Sequence, residues 1–304
     1  MISEPAPDML THVRIPINGV SLHVVEAGPQ DGPLVVLVHG FPDFWYGWRQ
    51  QIDCLAAAGY HVYAADQRGY NLSDKPKGTR PYSISQLSED IVSLIDHAGC
   101  EKAFIVAHDW GGGIAWWTAA HHSERVEKLV ILNSPHPAAI SKHLKHSLEQ
   151  IRKSWYILAF QIPNFPEWLF LRRNAKVGKW ALRASSQSGT FNESTLEKYA
   201  EAWRQPSAIT SMMNWFRDGF RHMQKMTDKD RIHMPTHILW GEHDSFLSNK
   251  LPALSAEYCD DVEIIRYQNA SHWLQHEEAD SVNQHLLKFF GDPAFIQGEF
   301  RPVD

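Results

Sequence analysis

The chain has 304 residues, 43% hydrophobic and 21% charged, which suffices for one large core or for one domain carrying an insertion. With 29 Lys and Arg against 35 Asp and Glu, the net charge is −6, and no long Lys/Arg block suggests a nucleic-acid or anionic-membrane partner. The opening "MISEPAPDML" has no apolar core of a signal peptide, and "PLVVLVHGF" is too short to span a bilayer, so a cytoplasmic monomer or homodimer is expected.

In chain order, "HVRIPINGVSLHVVEAG" alternates around Asn18-Gly19 and predicts a hairpin. "PLVVLVHG" (33–40), "YHVYAADQRG" (60–69), "KAFIVAHD" (102–109) and "VEKLVILNSP" (126–135) are β-rich runs without polar alternation, as strands buried on both faces of a parallel sheet require. Helical stretches separate them: "WYGWRQQIDCLAAAG", "SISQLSEDIVSLIDHAG" and "GGIAWWTAAHHS". The rhythm stops near Pro137. Up to about Asp230 the text is helical and aromatic, then "THILWGEHD" (236–244), a helix around "LPALSAEYC", "VEIIRYQNASH" (262–272) and a last helix "ADSVNQHLLKFFG" resume it. The expected organisation is therefore a core of 1–136 and 231–304, interrupted by a helical cap of 137–230. Five of the twelve tryptophans fall in the cap, namely Trp155, Trp168, Trp180, Trp203 and Trp215. Most are expected to form the cap's own core.

Open parallel sheets bind ligands at the carboxyl ends of their strands. Three ionisable residues fall there. Asp109 occupies a strand–turn–helix between Ala107 and Gly111, the spacing of a nucleophile elbow. Asp244 follows "WGEH" and His272 follows "QNAS", giving the order nucleophile, acid, histidine. Asn133 also ends a strand, but an amide cannot compensate an imidazolium, so Asp244 is the expected acid. "HGFPDFWYGW" (39–48) can aim the Phe41 N–H inward, and with the Trp110 N–H it would make a two-donor oxyanion hole. Cys54, Cys100 and Cys259 lie far apart, His121 and His122 diverge as helix neighbours, and no HExxH occurs, so neither metal nor cofactor is expected.

These segments together resemble an α/β-hydrolase of the epoxide hydrolase group. "HGFP", "HDWGG", "GEHD" and "ASHW" resemble its oxyanion, nucleophile, acid and histidine motifs, and "DQRGYNLSDKP" its DxRGxGxSxxP loop, with Asn71 where glycine is usual. The resemblance implies an α/β-hydrolase fold: a mostly parallel twisted sheet, helices on both faces and a helical cap. It places a ring-opening tyrosine at Tyr156 in "SWYILAFQIP". The second such tyrosine is replaced by Phe216 in "MNWFRDGF". Pro42, Trp155, Phe216 and Trp273 are expected to line the substrate pocket.

A carboxylate nucleophile selects the chemistry. Serine attacking an epoxide carbon would leave an ether, which water does not readily cleave, whereas a carboxylate leaves an ester that a histidine-activated water can hydrolyse. The expected substrates are a small apolar epoxide and water. A haloalkane dehalogenase would share Asp109, His272 and Asp244, but Phe41 stands where its halide-binding asparagine is expected. A fluoroacetate dehalogenase would want arginines where Trp110 and Gly113 stand. A non-catalytic ligand binder on this scaffold would have no need of three matched ionisable groups.

Overall fold

The computed structural model describes residues 10–222, 225–291 and 293. The hairpin forms as β1 (Thr11–Ile17) and β2 (Val20–Ala27), with Asn18 and Gly19 both at positive φ. Asparagine and glycine are the residues that tolerate that conformation. Then follow β3 (Leu34–Val38), α1 (Arg49–Ala57), β4 (His61–Ala65), α2 (Ile84–His97), β5 (Ala103–His108), α3 (Trp110–His121) and β6 (Val126–Leu132). After a long helical excursion come β7 (Thr236–Gly241) and β8 (Val262–Tyr267).

The eight strands form one sheet in the order β1-β2-β4-β3-β5-β6-β7-β8, parallel from β4 to β8 and antiparallel at the β1-β2-β4 edge. Residues of β3, β4 and β5 are buried throughout, as the unbroken apolar runs require. β8, at the edge, exposes Glu263 and Arg266. The order reverses between β3 and β5, so the crevice between their carboxyl ends is the topological switch point. Two apolar clusters, one on each face of the sheet, make the core.

Between β6 and β7 the chain forms α4 (Pro137–Leu144), α5 (Leu148–Lys153), α6 (Trp155–Ala159), α7 (Phe165–Ala184), α8 (Glu193–Trp203) and α9 (Ala208–His222). The helix α7 is interrupted at Arg172–Ala175, where Arg172 is extended and the next three residues are left-handed. The remaining helices are α10 (Leu251–Ala256), α11 (Leu274–Glu277) and α12 (Ala279–Phe290). α4 sits on the core: the Ser255 hydroxyl accepts from the His136 N–H, and the His136 ring stacks on Tyr258.

Two loops of the core hold the cap. From α8, the Trp203 indole donates to the Pro42 carbonyl at 2.7 Å and the Tyr199 hydroxyl to Asp43 at 2.7 Å. From α9, the Trp215 indole donates to the Arg68 carbonyl at 3.0 Å and the Asn214 amide to the Gly78 carbonyl at 3.0 Å. Arg68 is itself pinned by a buried ion pair to Asp90 of α2. Asn71, the departure from the usual glycine, lies at φ 37° and donates to Asp66, so it takes over the left-handed turn and adds a hydrogen bond. Of the five cap tryptophans only Trp203 and Trp215 are buried. Trp155, Trp168 and Trp180 are more than half exposed, contrary to the expectation of a tryptophan-rich cap core.

Candidate active site

Asp109 leaves β5 at φ 52°, ψ −126°, a conformation rarely held by a residue with a side chain, and α3 begins at the next residue. The small neighbours make it possible. A Cβ on Gly111 would meet the backbone oxygens of Val38 and His39, and one on Gly40 would lie 2.5 Å from Asp109 Cβ. Strand β3 and the elbow thus approach at glycine only. The Phe41 N–H donates to Asp109 Oδ1 at 2.8 Å. Trp110 is the first residue of α3, where an amide has no partner within the helix.

His39 shapes the turn that carries Phe41. Its Nε2 accepts from the Gln67 N–H at 3.0 Å and its Nδ1 donates to the Gly40 carbonyl at 3.0 Å, so the ring is neutral. Burial lowers its pKa accordingly. Pro42 follows through a cis peptide bond. It is buried under α8 through its carbonyl bond to Trp203, and so anchors the cap as well as flanking the site.

The structure brings the expected acid and histidine together on Asp109. His272 Nδ1 donates to Asp244 Oδ2 at 2.7 Å, and its Nε2 lies 3.4 Å from Asp109 Oδ2. Asp244 is fully enclosed and accepts from the Phe246 and Leu247 amides at 2.7 and 2.9 Å and from the Asn133 side chain at 2.8 Å. Burial alone would raise its pKa. His272 and these donors outweigh burial and hold it below the usual carboxylate range. Burial likewise pulls His272 down, but Asp244 and then Asp109 push it up to about 10. Asn133 thus stands behind Asp244 as a donor to its carboxylate.

Beneath His272 lies His108, a residue the motifs did not single out although it directly precedes Asp109. Its Nε2 donates to the His272 carbonyl at 2.8 Å and its Nδ1 accepts from Gln275. Burial, and then the neighbouring His272, lowers it to about 4. It supports the His272 backbone as a neutral ring.

Aromatic rings enclose the carboxylate. Phe216 is buried, with ring centroids 4.7 Å from Trp110, 5.0 Å from Phe41 and Phe160, and 6.0 Å from Tyr156. Phe246 bridges Tyr156 at 5.7 Å and His272 at 5.0 Å. Phe160 and Phe246 were not expected here; their only sequence signal is proximity to Tyr156 and Asp244. Burial, and then the charges of Asp109 and Asp244, raises the Tyr156 pKa well above the ordinary phenol value.

Two expected lining residues lie elsewhere. Trp155 is 66% exposed: adjacent helix residues point about 100° apart, so with Tyr156 turned inward Trp155 faces outward. Trp273 is buried among His108, Phe191 and His276, with its indole donating to Ser185. It touches the site only through an edge contact with His272 at 5.2 Å. No group of three or more His, Cys, Asp or Glu suited to a metal ion occurs among the described residues.

The alpha/beta hydrolase fold family model matches residues 33–279. The AB hydrolase superfamily protein YfhM of Bacillus subtilis is 42% identical over 90% of this chain and 95% of its own. Human epoxide hydrolase 4 is 34% identical over 95% of this chain and 80% of its own. Among solved structures, the Bacillus megaterium epoxide hydrolase in complex with an inhibitor superposes with a TM-score of 0.84 at 31% identity, covering 91% of this chain and 99% of that one. The chain belongs to the α/β-hydrolase fold family and, within it, to the epoxide hydrolase group.

Proposed function

We propose that the protein is an epoxide hydrolase that opens an apolar epoxide to a vicinal diol through an ester on Asp109. The observation that carries this reading is a carboxylate on the elbow, with His272 at its Oδ2 and Asp244 behind the histidine. Similarity to the human and Bacillus megaterium epoxide hydrolases supports it.

In this reading the geometry divides the carboxylate. Oδ1, held by the Phe41 amide, becomes the ester carbonyl oxygen; Oδ2 attacks the ring carbon as the C–O bond breaks. Tyr156 gives its hydroxyl proton to the departing alkoxide and is reprotonated from solvent. Its raised pKa makes it a donor that returns readily to the phenol. Ester formation consumes the Asp109 charge, so His272 loses one of the two carboxylates that hold its proton and releases that proton to solvent. The neutral ring then takes a proton from water, whose hydroxide adds to the ester carbonyl. The Phe41 and Trp110 N–H groups hold the resulting oxyanion. Collapse expels the diol alkoxide, which takes the remaining acid proton, and restores the Asp109 carboxylate beside a protonated His272. Substrate, water and these side chains suffice for the cycle.

The test is a single turnover with enzyme in excess in ¹⁸O-labelled water. Label is expected in the Asp109 carboxylate, because the diol receives its new oxygen from the enzyme; label in the diol alone would sink the reading. Terminal and aryl epoxides beside haloalkanes, with diol and halide measured separately, distinguish it from dehalogenation.

A further inference from the structure

We propose that the outer face of the cap helices α5, α6 and α7 docks on an anionic lipid bilayer. Among the described residues, eleven large hydrophobic side chains are exposed, and eight of them lie between residues 148 and 169. Leu148, Ile151, Trp155, Leu158 and Ile162 recur at steps of three and four, so they form one stripe along α5, α6 and the turn beyond. All five are at least half exposed. Phe165, Trp168 and Leu169 extend the stripe at the start of α7, with the Phe165 and Trp168 rings 6.1 Å apart. Scattered exposed leucines need no explanation, but a run of this length does.

The charge around the stripe says what covers it. Residues 137–184 hold nine of the chain's 29 Lys and Arg but only two of its 35 Asp and Glu. Neither acid faces out alone: Glu167 is buried against Arg217, and Glu149 lies beside Lys153 and accepts from Ser248. Lys145, Arg152, Arg172, Arg173 and Lys176 are exposed and have no carboxylate partner among the described residues. The Arg172 guanidinium lies over the Trp168 ring at 4.8 Å. A basic, tryptophan-bearing apolar face on a protein of net charge −6 matches the interface of an anionic bilayer, which offers apolar depth and negative charge together. A second copy of the chain fits less well, since a two-fold contact would set the basic rim against itself. No helix among the described residues is long and apolar enough to cross a membrane, so the face lies on the bilayer.

The inner side of the same helices carries Tyr156 and Phe160, whose rings pack on Phe216, and Phe160 also packs on Phe41, whose N–H donates to Asp109. Docking would therefore hold the roof of the site against the phase in which an apolar substrate is concentrated. The surface assignment itself does not depend on the reaction proposed above.

The test is sedimentation of the full chain with phosphatidylcholine vesicles, with and without about one-third phosphatidylserine, at low and at physiological salt. Binding is expected to the anionic vesicles, weakened by salt, with about tenfold less to the zwitterionic ones. Ile151→Ser/Leu158→Ser and Arg152→Glu/Arg173→Glu, each checked by thermal melt and by turnover of a water-soluble epoxide, are expected to lose about tenfold or more of that binding. Equal affinity for both vesicle types, unaltered binding by folded variants, or no binding by the parent chain would overturn the assignment. So would dimerisation abolished by the same substitutions in a chain that ignores vesicles.

Discussion

The positive φ of Asp109 and the bare Cα of Gly40 are two halves of one contact. A methyl group on Gly40 cannot be accommodated by a rotamer change, because it meets Asp109 at Cβ. Gly40→Ala is thus expected to shift the carboxylate off the Phe41 amide and slow ester formation by about 10²-fold, since displacements near 1 Å carry that cost. Stopped-flow alkylation of a folded variant measures it, and an unchanged rate would mean that the loop after β3 yields freely. Phe216 poses the converse question. Its ring faces Trp110, Phe41 and Tyr156, so a hydroxyl added there enters the aromatic enclosure. Phe216→Tyr is expected to speed ring opening of a styrene-type epoxide by roughly tenfold or more, as a second proton donor should. It should also cost about 1–3 kcal/mol of stability in the free enzyme, where the new group lacks a fixed partner. A stability loss with no gain in rate would show that the position has become purely a packing site.

At the scale of elements, α8 and the loop after β3 act as one piece. Tyr199 and Trp203, one turn apart on α8, donate to Asp43 and Pro42, the two residues after the Phe41 amide. Asp43 is fully buried; burial alone would raise its pKa, but His276, His39 and the Tyr199 hydroxyl hold it down at about 2. Tyr199→Phe removes a donor from a buried carboxylate, at an expected cost of about 1–3 kcal/mol. Because the loop also carries the Phe41 amide that holds Asp109, kcat is expected to fall several-fold with little change in KM. An unchanged kcat at reduced stability would confine α8 to a structural role. This linkage was not legible in the sequence. Asp43 and Tyr199 are separated by 156 positions, and a tyrosine in an amphipathic helix looks like ordinary core. The positions of Asp109, Asp244 and His272 were legible because each follows the carboxyl end of a strand, directly after β5, in the turn after β7 and in the turn after β8. The direction in which a cap side chain points was not: Trp155 and Tyr156 are neighbours in one aromatic segment, and only the packed helix decides which turns inward. The same gap hid the basic apolar stripe, whose charges are dispersed along the chain and converge only when α5–α7 are formed.

For the molecule as a whole, buried histidines set the dependence of stability on pH. His108 and His136 are completely enclosed, and burial, the largest cause for each, lowers both to about 4 from an ordinary value near 6.5. Between those values the unfolded chain binds protons that the folded chain refuses, so stability rises with pH from about 4 to about 6.5. These two groups alone give a slope approaching roughly 2–3 kcal/mol per pH unit there, and His39 and His276, also lowered by burial, add to it. His272 has the opposite sign. Held up to about 10 despite its burial, mainly by Asp244 and then Asp109, it keeps a proton that the unfolded chain loses near 6.5. Its contribution is complete below about pH 6.5 and is lost as pH rises through about 10. The two effects meet near pH 6.5, where urea-unfolding free energy is expected to be greatest, with a steeper fall on the acid side. His272→Gln separates them: it should flatten the alkaline limb while leaving the acid limb in place. An alkaline limb that persists in this variant would assign the lost proton to another group and remove the ion triad from the pH balance of the fold.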